Sequence, residues 1–191
     1  MKIEKGKPGY IQAQKKRYLL WSAAEFAVVI ALVVLGYVQT GSKMNLLTVV
    51  AVLGCLPASK MLAEFLTMAP HKSIEQAKYE EISQKAPLLT KAYDLIITSS
   101  EKVMPVDVVV ISGHTVCGYT STEKTDEGKV AKYLKELLAK NGCEKVTVKI
   151  FHDYVPFLSR AEGMNNIASI EKSDERRIER KIQKIILSTA M

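Results

Sequence analysis

The sequence predicts an α+β domain carried on a two-helix transmembrane hairpin, and three observations predict it. Two long apolar runs, Tyr18–Val38 and Leu46–Met68, are separated by a short polar turn around Gly41. A basic cluster precedes the first run. From Pro70 onward, short β-branched runs alternate with amphipathic helical patterns. The chain therefore divides into a basic juxtamembrane segment (1–17), a helical hairpin (18–69) and a soluble domain (70–191).

The first run is long enough as a helix, at 1.5 Å per residue, to match a hydrocarbon core of ~30 Å. A secretory signal would also place basic residues such as Lys15, Lys16 and Arg17 ahead of an apolar run. This run is too long for that, and no small-residue cleavage site follows it. The second run is interrupted by Pro57, Lys60 and Glu64, so it spans only if Lys60 extends its stem to bring the ammonium to the interface. Pro57 removes a backbone donor, and a kink is expected there, with Lys60–Met68 leaving along the surface. A re-entrant or interfacial second segment stays open.

Orientation follows from charge. Residues 1–17 hold six basic residues (Lys2, Lys5, Lys7, Lys15, Lys16, Arg17) against Glu4, a net of +5 out of the chain's +7. Basic flanks favour the cytoplasmic side, so two spans return the large domain to the cytoplasm, with Tyr18 and Trp21 at the inner interface and Tyr37 at the outer one. The remaining 21 basic residues face 19 acids, so the high pI is a membrane-flank property and no nucleic-acid partner is expected. The three cysteines, Cys55, Cys117 and Cys143, form no disulfide framework.

Glu25 is the one acid deep in the first run. Reflecting the hairpin about residue 41 sets it opposite residues 57–58, near Lys60, and predicts an intramembrane Glu25–Lys60 ion pair; a hydrated headgroup position or an ion pathway are the other readings. Ala23, Ala27 and Ala31 in the first run, and Ala51, Gly54, Cys55 and Ala58 in the second, are small residues suited to close helix approach.

The soluble part reads in the order αβββαβαα, a mostly antiparallel sheet with flanking helices. Ser73 and Gln76 resemble a capping box that opens a polar helix ending near Ala86. Strands follow at Tyr93–Thr98, Val106–Ile111 and Thr115–Ser121, the last two joined by a turn at Ser112-Gly113-His114. Thr125 and Asp126 open an amphipathic helix that Asn141-Gly142 closes in a left-handed C-cap. Lys145–Phe151 alternates as a fourth strand. A weak helix at Phe157–Ile170 and a strong one at Asp174–Ala190, capped by Ser173, complete the domain. The last carries Ile178, Ile182, Ile185 and Ile186 opposite Arg176, Arg177, Arg180, Lys181 and Lys184. That stripe suits core packing against the sheet, and a basic amphipathic helix also suits an anionic membrane surface.

The order over residues 73–151, with Val106–Thr120 (VDVVVISGHTVCGYT) at its centre, resembles the restriction-endonuclease-like core of the NERD group of nuclease-related domains. Asp107 and Gly113 match the aspartate and the glycine turn of that pattern. Gly118 and Thr120 stand where its Glu-x-Lys would be, so the resemblance, over about a third of the chain, implies the shape of the fold without the nuclease activity.

Other chemistry is sparse. His152 and Asp153 end the fourth strand, where with Asp107, His114 or Glu162 they are candidates for an acid–base or metal cluster. His114 and Cys117 lie three residues apart and fall on opposite strand faces, so they are no dyad. No phosphate-binding loop, Cys-x-x-Cys or His-Glu-x-x-His motif is present, and no metal or cofactor is expected. The leading expectation is a membrane-anchored interaction or scaffold module with a protein partner or a second copy. The alternatives are a membrane-tethered, diverged nuclease-like or metal-dependent hydrolase, and a small transporter or channel subunit.

Overall fold

A computed structural model describes residues 3–99, 103–171 and 176–191. Lys2 of the basic flank, and Ser173 and Asp174 at the expected start of the last helix, lie outside the described residues. The chain forms two compact units. One comprises residues 1–10 together with 73–191, the other residues 11–72.

The 11–72 unit is a helical hairpin. Helix α1 covers Tyr10–Thr40 and helix α2 covers Leu46–Met68. On α1, Ser22, Glu25, Val29, Leu32 and Gly36 are buried or half-buried, and on α2 so are Ala51, Gly54, Ala58, Met61, Phe65 and Met68. Both sets alternate steps of three and four residues, the seam of two helices packed side by side. The approach is tight. A Cβ on Gly54 would sit 3.3 Å from Val29, and one on Gly36 would sit 2.5 Å from Asn45 Oδ1. Asn45 caps α2, its Oδ1 accepting the Thr48 N–H at 2.8 Å, while its amide donates to Ser42 O at 2.9 Å. Near the other end Lys15 Nζ donates to Ala69 O at 2.7 Å.

Both helices are long and apolar enough to cross a membrane, and only 17% and 11% of their most apolar stretches are buried, unlike core helices of a soluble protein. Three local expectations change. Helix α2 runs unbroken past Pro57 and stays buried at Met68, because its seam continues beyond the proline. Ala23, Ala27 and Ala31 are exposed, so the close approach on α1 uses Ser22 and Gly36 instead. Glu25 and Lys60 are not among the ion pairs of the described residues. Ala58 points into the seam, and Lys60, about 200° further round the helix, points out.

The second unit contains helix α3 (Gln76–Lys85), strands β1 (Thr90–Thr98), β2 (Val103–Ser112) and β3 (Thr115–Tyr119), helix α4 (Glu127–Lys140), strand β4 (Thr147–Phe151), and helices α5 (Tyr154–Glu171) and α6 (Arg176–Thr189). The sheet order is β1-β2-β3-β4. The first three strands are antiparallel, and β4 pairs parallel to β3. The sheet is thus mixed, since the α4 crossover between β3 and β4 permits parallel pairing that a tight turn cannot. Helices α4 and α6 cover one face, where Leu134, Leu138, Ile182 and Ile186 meet Leu95, Val109 and Val116. Helices α3 and α5 cover the other, where Ile82 and Phe157 meet Tyr93, Val108 and Cys117.

Capping explains several boundaries. Asp126 accepts the Lys129 N–H at 3.1 Å and starts α4, and Gly142 at φ +77° ends it, with Cys143 N–H donating back to Leu138 O. Ser73 and Gln76 do not make the expected box. The helix starts two residues later, with Glu75 at the N-cap position making no side-chain cap bond and Gln76 donating to Glu80, while the Ile74 N–H donates to Asp94 at 2.9 Å. Helix α5 starts three residues earlier than its apolar pattern. Asp153 precedes it and Pro156 falls in its first turn, where a missing N–H leaves no intrahelical bond unmade.

The outer edge of β1 is covered by both ends of the chain. Tyr93 N–H donates to Gly6 O at 2.8 Å, Met191 N–H donates to Ile96 O at 2.9 Å, and Lys5 Nζ donates to Ala190 O. Residues 3–10 of the basic flank are therefore part of the α+β unit, and an edge otherwise open to pairing with another strand is closed.

Candidate functional site

Two of the sequence candidates, Asp107 and His152, converge at one end of the sheet. Strand β3 and strand β4 are parallel, so their C-terminal ends, Thr120 and His152, lie together, and Asp107 of β2 reaches the same end. Asp107 Oδ2 accepts the Ser121 N–H at 2.8 Å. His152 Nδ1 lies 3.3 Å from Thr120 O, and its backbone N–H donates to Glu127 Oε1 at 2.5 Å. Asp107 and His152 thus grip the two sides of the Thr120-Ser121 segment. Thr120 is itself buried and donates from Oγ1 to Pro105 O at 2.9 Å.

The other candidates go elsewhere. Asp153 is exposed at the N-cap position of α5, and Glu162 is exposed on that helix. His114 is in the β2–β3 turn at the opposite end of the sheet. Cys117 is buried among Val108, Val110 and Phe157, and burial pushes its thiol above the ordinary range, only partly offset by the Arg160 guanidinium. It is a core residue held in its thiol form.

Two features escape the sequence reading. The first is Asp94, buried at φ +55° inside β1. On one side of it Tyr93 and Val108 face α3 and α5; on the other Leu95 and Val106 face α4 and α6. The alternation of both strands slips at the Asp94 and Asp107 level, which lets two acids occupy a sheet interior where apolar residues would otherwise pair. Its only sequence signal is an acid set within an apolar strand. The second is Lys78 of α3. Its ammonium lies 5.5 Å from the ring centroids of both Tyr119 and Tyr154, 3.4 Å from Tyr119 Oη and 3.4 Å from Glu75 Oε2. The two rings meet edge to face at 5.4 Å, and Tyr154 Oη donates to Glu81 Oε2 at 2.9 Å.

Charge in this corner is tuned by burial. Burial pushes the Asp107 carboxyl above its ordinary value; the Ser121 donors and Lys78 pull it back in part, and the Glu75 carboxylate adds to the rise. Burial pulls Lys78 down, but Tyr119 and Glu75 outweigh it, so the ammonium is held charged more firmly than in water. Burial and the Glu81 carboxylate raise Tyr154. Among the described residues, no three His, Cys, Asp or Glu side chains are grouped to hold a metal ion. The arrangement fastens loop backbone and seats one cation against aromatic faces, and each acid named in the corner has a donor in contact.

In the helical hairpin, Glu25 Oε2 is buried without a hydrogen-bond partner among the described residues. No protein-family model matches the chain, and neither a curated protein nor a solved structure matches it.

Proposed function

We propose that this protein is a membrane-anchored interaction module, in which a two-span hairpin holds an α+β domain at the cytoplasmic face for a protein partner or a second copy. The observation that carries the reading is that residues 3–10, before the hairpin, and residues 73–191, after it, form one compact unit. A chain that leaves this unit, runs through two exposed apolar helices and returns to it crosses a bilayer an even number of times. The positive flank then sets that unit on the cytoplasmic side. The acids of the sheet end support an interaction role over a catalytic one, since Asp107 and Glu127 are spent on backbone amides.

The reading is tested by in-membrane crosslinking of the full chain at native abundance, with mass spectrometry of what is captured. One partner, or a second copy, recovered in near-equal amount supports it. Recovery of neither refutes it. Single cysteines placed at Lys7, Ser42 and Lys140 test the topology: Lys7 and Lys140 should be labelled from the cytoplasmic side alone and Ser42 from the opposite side alone.

One set of observations favours a second reading, a diverged nuclease-like hydrolase. A mixed sheet in the order β1-β2-β3-β4 carries Asp107 on β2 beside Lys78 and Glu75, which resembles the carboxylate-and-lysine economy of that fold. Divalent-metal titration of the full chain against Asp107→Ala and His152→Ala separates the two. Metal binding lost in these variants supports the hydrolase.

A further inference from the structure

Helix α6 splits cleanly by chemistry. Ile182 and Ile186 are fully buried against the sheet, with Ile178 and Ile185 packed beside them, so the apolar stripe belongs to the core and cannot insert into lipid. Glu179, the one acid on Arg176–Thr189, is also turned inward. Its two carboxylate oxygens accept from Thr90 Oγ1 at 2.7 Å and from Gly113 N–H at 2.9 Å. What remains outside is cationic. Arg176, Arg177, Arg180, Lys181 and Lys184 line one shallow groove with Ile185, within an arc of about 140° around the helix axis. None of the five takes part in an ion pair among the described residues, whereas the lysines of α3 and α4 that do so pair with an acid three or four residues away.

We infer that this face is a docking surface for an anionic lipid bilayer, engaged by electrostatics alone. The inference rests on the anchored reading above. The seven residues Ala69–Glu75 between α2 and α3 reach at most ~25 Å, so an anchored domain meets the bilayer surface at high effective concentration. The groove has no aromatic side chain on which a base could stack, which disfavours a single-stranded polynucleotide. Five exposed cations that take part in no ion pair among the described residues, with no penetrating apolar group, match a surface of acidic headgroups. Such a contact strengthens roughly fivefold per cation and fades with salt.

The test reconstitutes the full-length chain into vesicles of neutral phosphatidylcholine and into vesicles containing about a third phosphatidylserine. A membrane-impermeant acetylating reagent then reads Lys181 and Lys184 by mass spectrometry. The inference expects both lysines to react at least about threefold more slowly in the anionic vesicles, with the difference abolished at about 0.5 M salt. The triple variant Arg176→Glu, Arg177→Glu, Arg180→Glu keeps both reporter lysines and should lose the difference, with Lys140 as an internal reference. Equal rates in the two vesicles while the chain resists alkaline extraction overturn this inference and leave the anchor standing. Extraction of the chain by alkali overturns both. Protection by added duplex DNA or RNA in neutral vesicles, without protection by lipid, assigns the face to a polynucleotide and overturns the lipid assignment.

Discussion

Replacing Glu179 by alanine removes a side chain that ties α6 to two separate parts of the sheet. Its carboxylate receives the Thr90 hydroxyl and the buried Gly113 amide, 89 and 66 residues away in sequence. Hydrogen bonds to a charged acceptor contribute about 1.5–3 kcal/mol each, and a buried amide left without an acceptor costs about 1–3 kcal/mol. The two contacts share one anchor and are not independent, so Glu179→Ala should destabilise the α+β unit by roughly 2–4 kcal/mol. Glu179→Gln keeps an oxygen for Gly113, and the Thr90 hydroxyl can turn to accept from the new amide, so it should cost only about 1 kcal/mol. The assay is denaturant unfolding of the full chain in micelles, with hydrogen exchange at the Gly113 amide as the local readout. Exchange there should accelerate by more than about tenfold in the alanine variant. An alanine variant within about 0.5 kcal/mol of wild type, with the Gly113 amide still protected, would refute the reasoning.

Four further outcomes follow from close contacts and burial. Gly36→Ala places a Cβ 2.5 Å from Asn45 Oδ1, so the α2 cap should be displaced at a cost of about 1–2 kcal/mol, read as faster exchange of the Thr48 amide; unchanged exchange sinks the claim. Gly118→Ala places a Cβ 2.7 Å from Ile150 Cδ1 and should cost about 1–3 kcal/mol, in part recovered by adding Ile150→Val. Gly118→Glu, the residue of the nuclease pattern, should fail to fold; a stable, soluble Gly118→Glu chain contradicts this account of the departure. For Asp107 the folded-state pKa is raised, so the folded state binds its proton more tightly than the unfolded one, and stability falls as pH rises from the unfolded value through the folded one. Asp107→Asn keeps an oxygen for the Ser121 amide and is free of that loss. Thermal melts should show it equal to or more stable than wild type at neutral pH, with the advantage vanishing in acid; the opposite trend rules the argument out.

Local chemistry made much of the chain legible before any contact was known. The apolar runs that became α1 and α2, the β-branched runs inside β1 to β4, the Asp126 cap and the Asn141-Gly142 stop are all short-range signals, each acting within about a turn of helix or a few strand residues. The Ile182 and Ile186 stripe is legible for the same reason, because helical periodicity fixes which residues share a face. Where these signals compete with distant partners they fail. The expected Ser73 cap gives way to a helix start at Glu75 in a segment whose Ile74 amide is held by Asp94, and Asp94 itself reads only as an interruption in a strand.

The candidate site shows the same division. That Asp107 and His152 belong to one corner was suggested by strand ends, but the corner exists because β4 lies parallel to β3, a pairing decided by the α4 crossover and not by any residue in β4. Lys78 enters it from α3, about 40 residues before Tyr119, with no local pattern to announce it. Sequence by itself determined the two-part composition, the positions of the elements and the charge of the first flank, because these depend on residue type and spacing. Only the tertiary structure decided that residues 3–10 close the β1 edge and that Glu179 turns inward to leave α6 with a cationic outer face. Each of those depends on which distant backbone groups come within hydrogen-bond reach once the sheet has formed, and residue type and spacing carry no record of that.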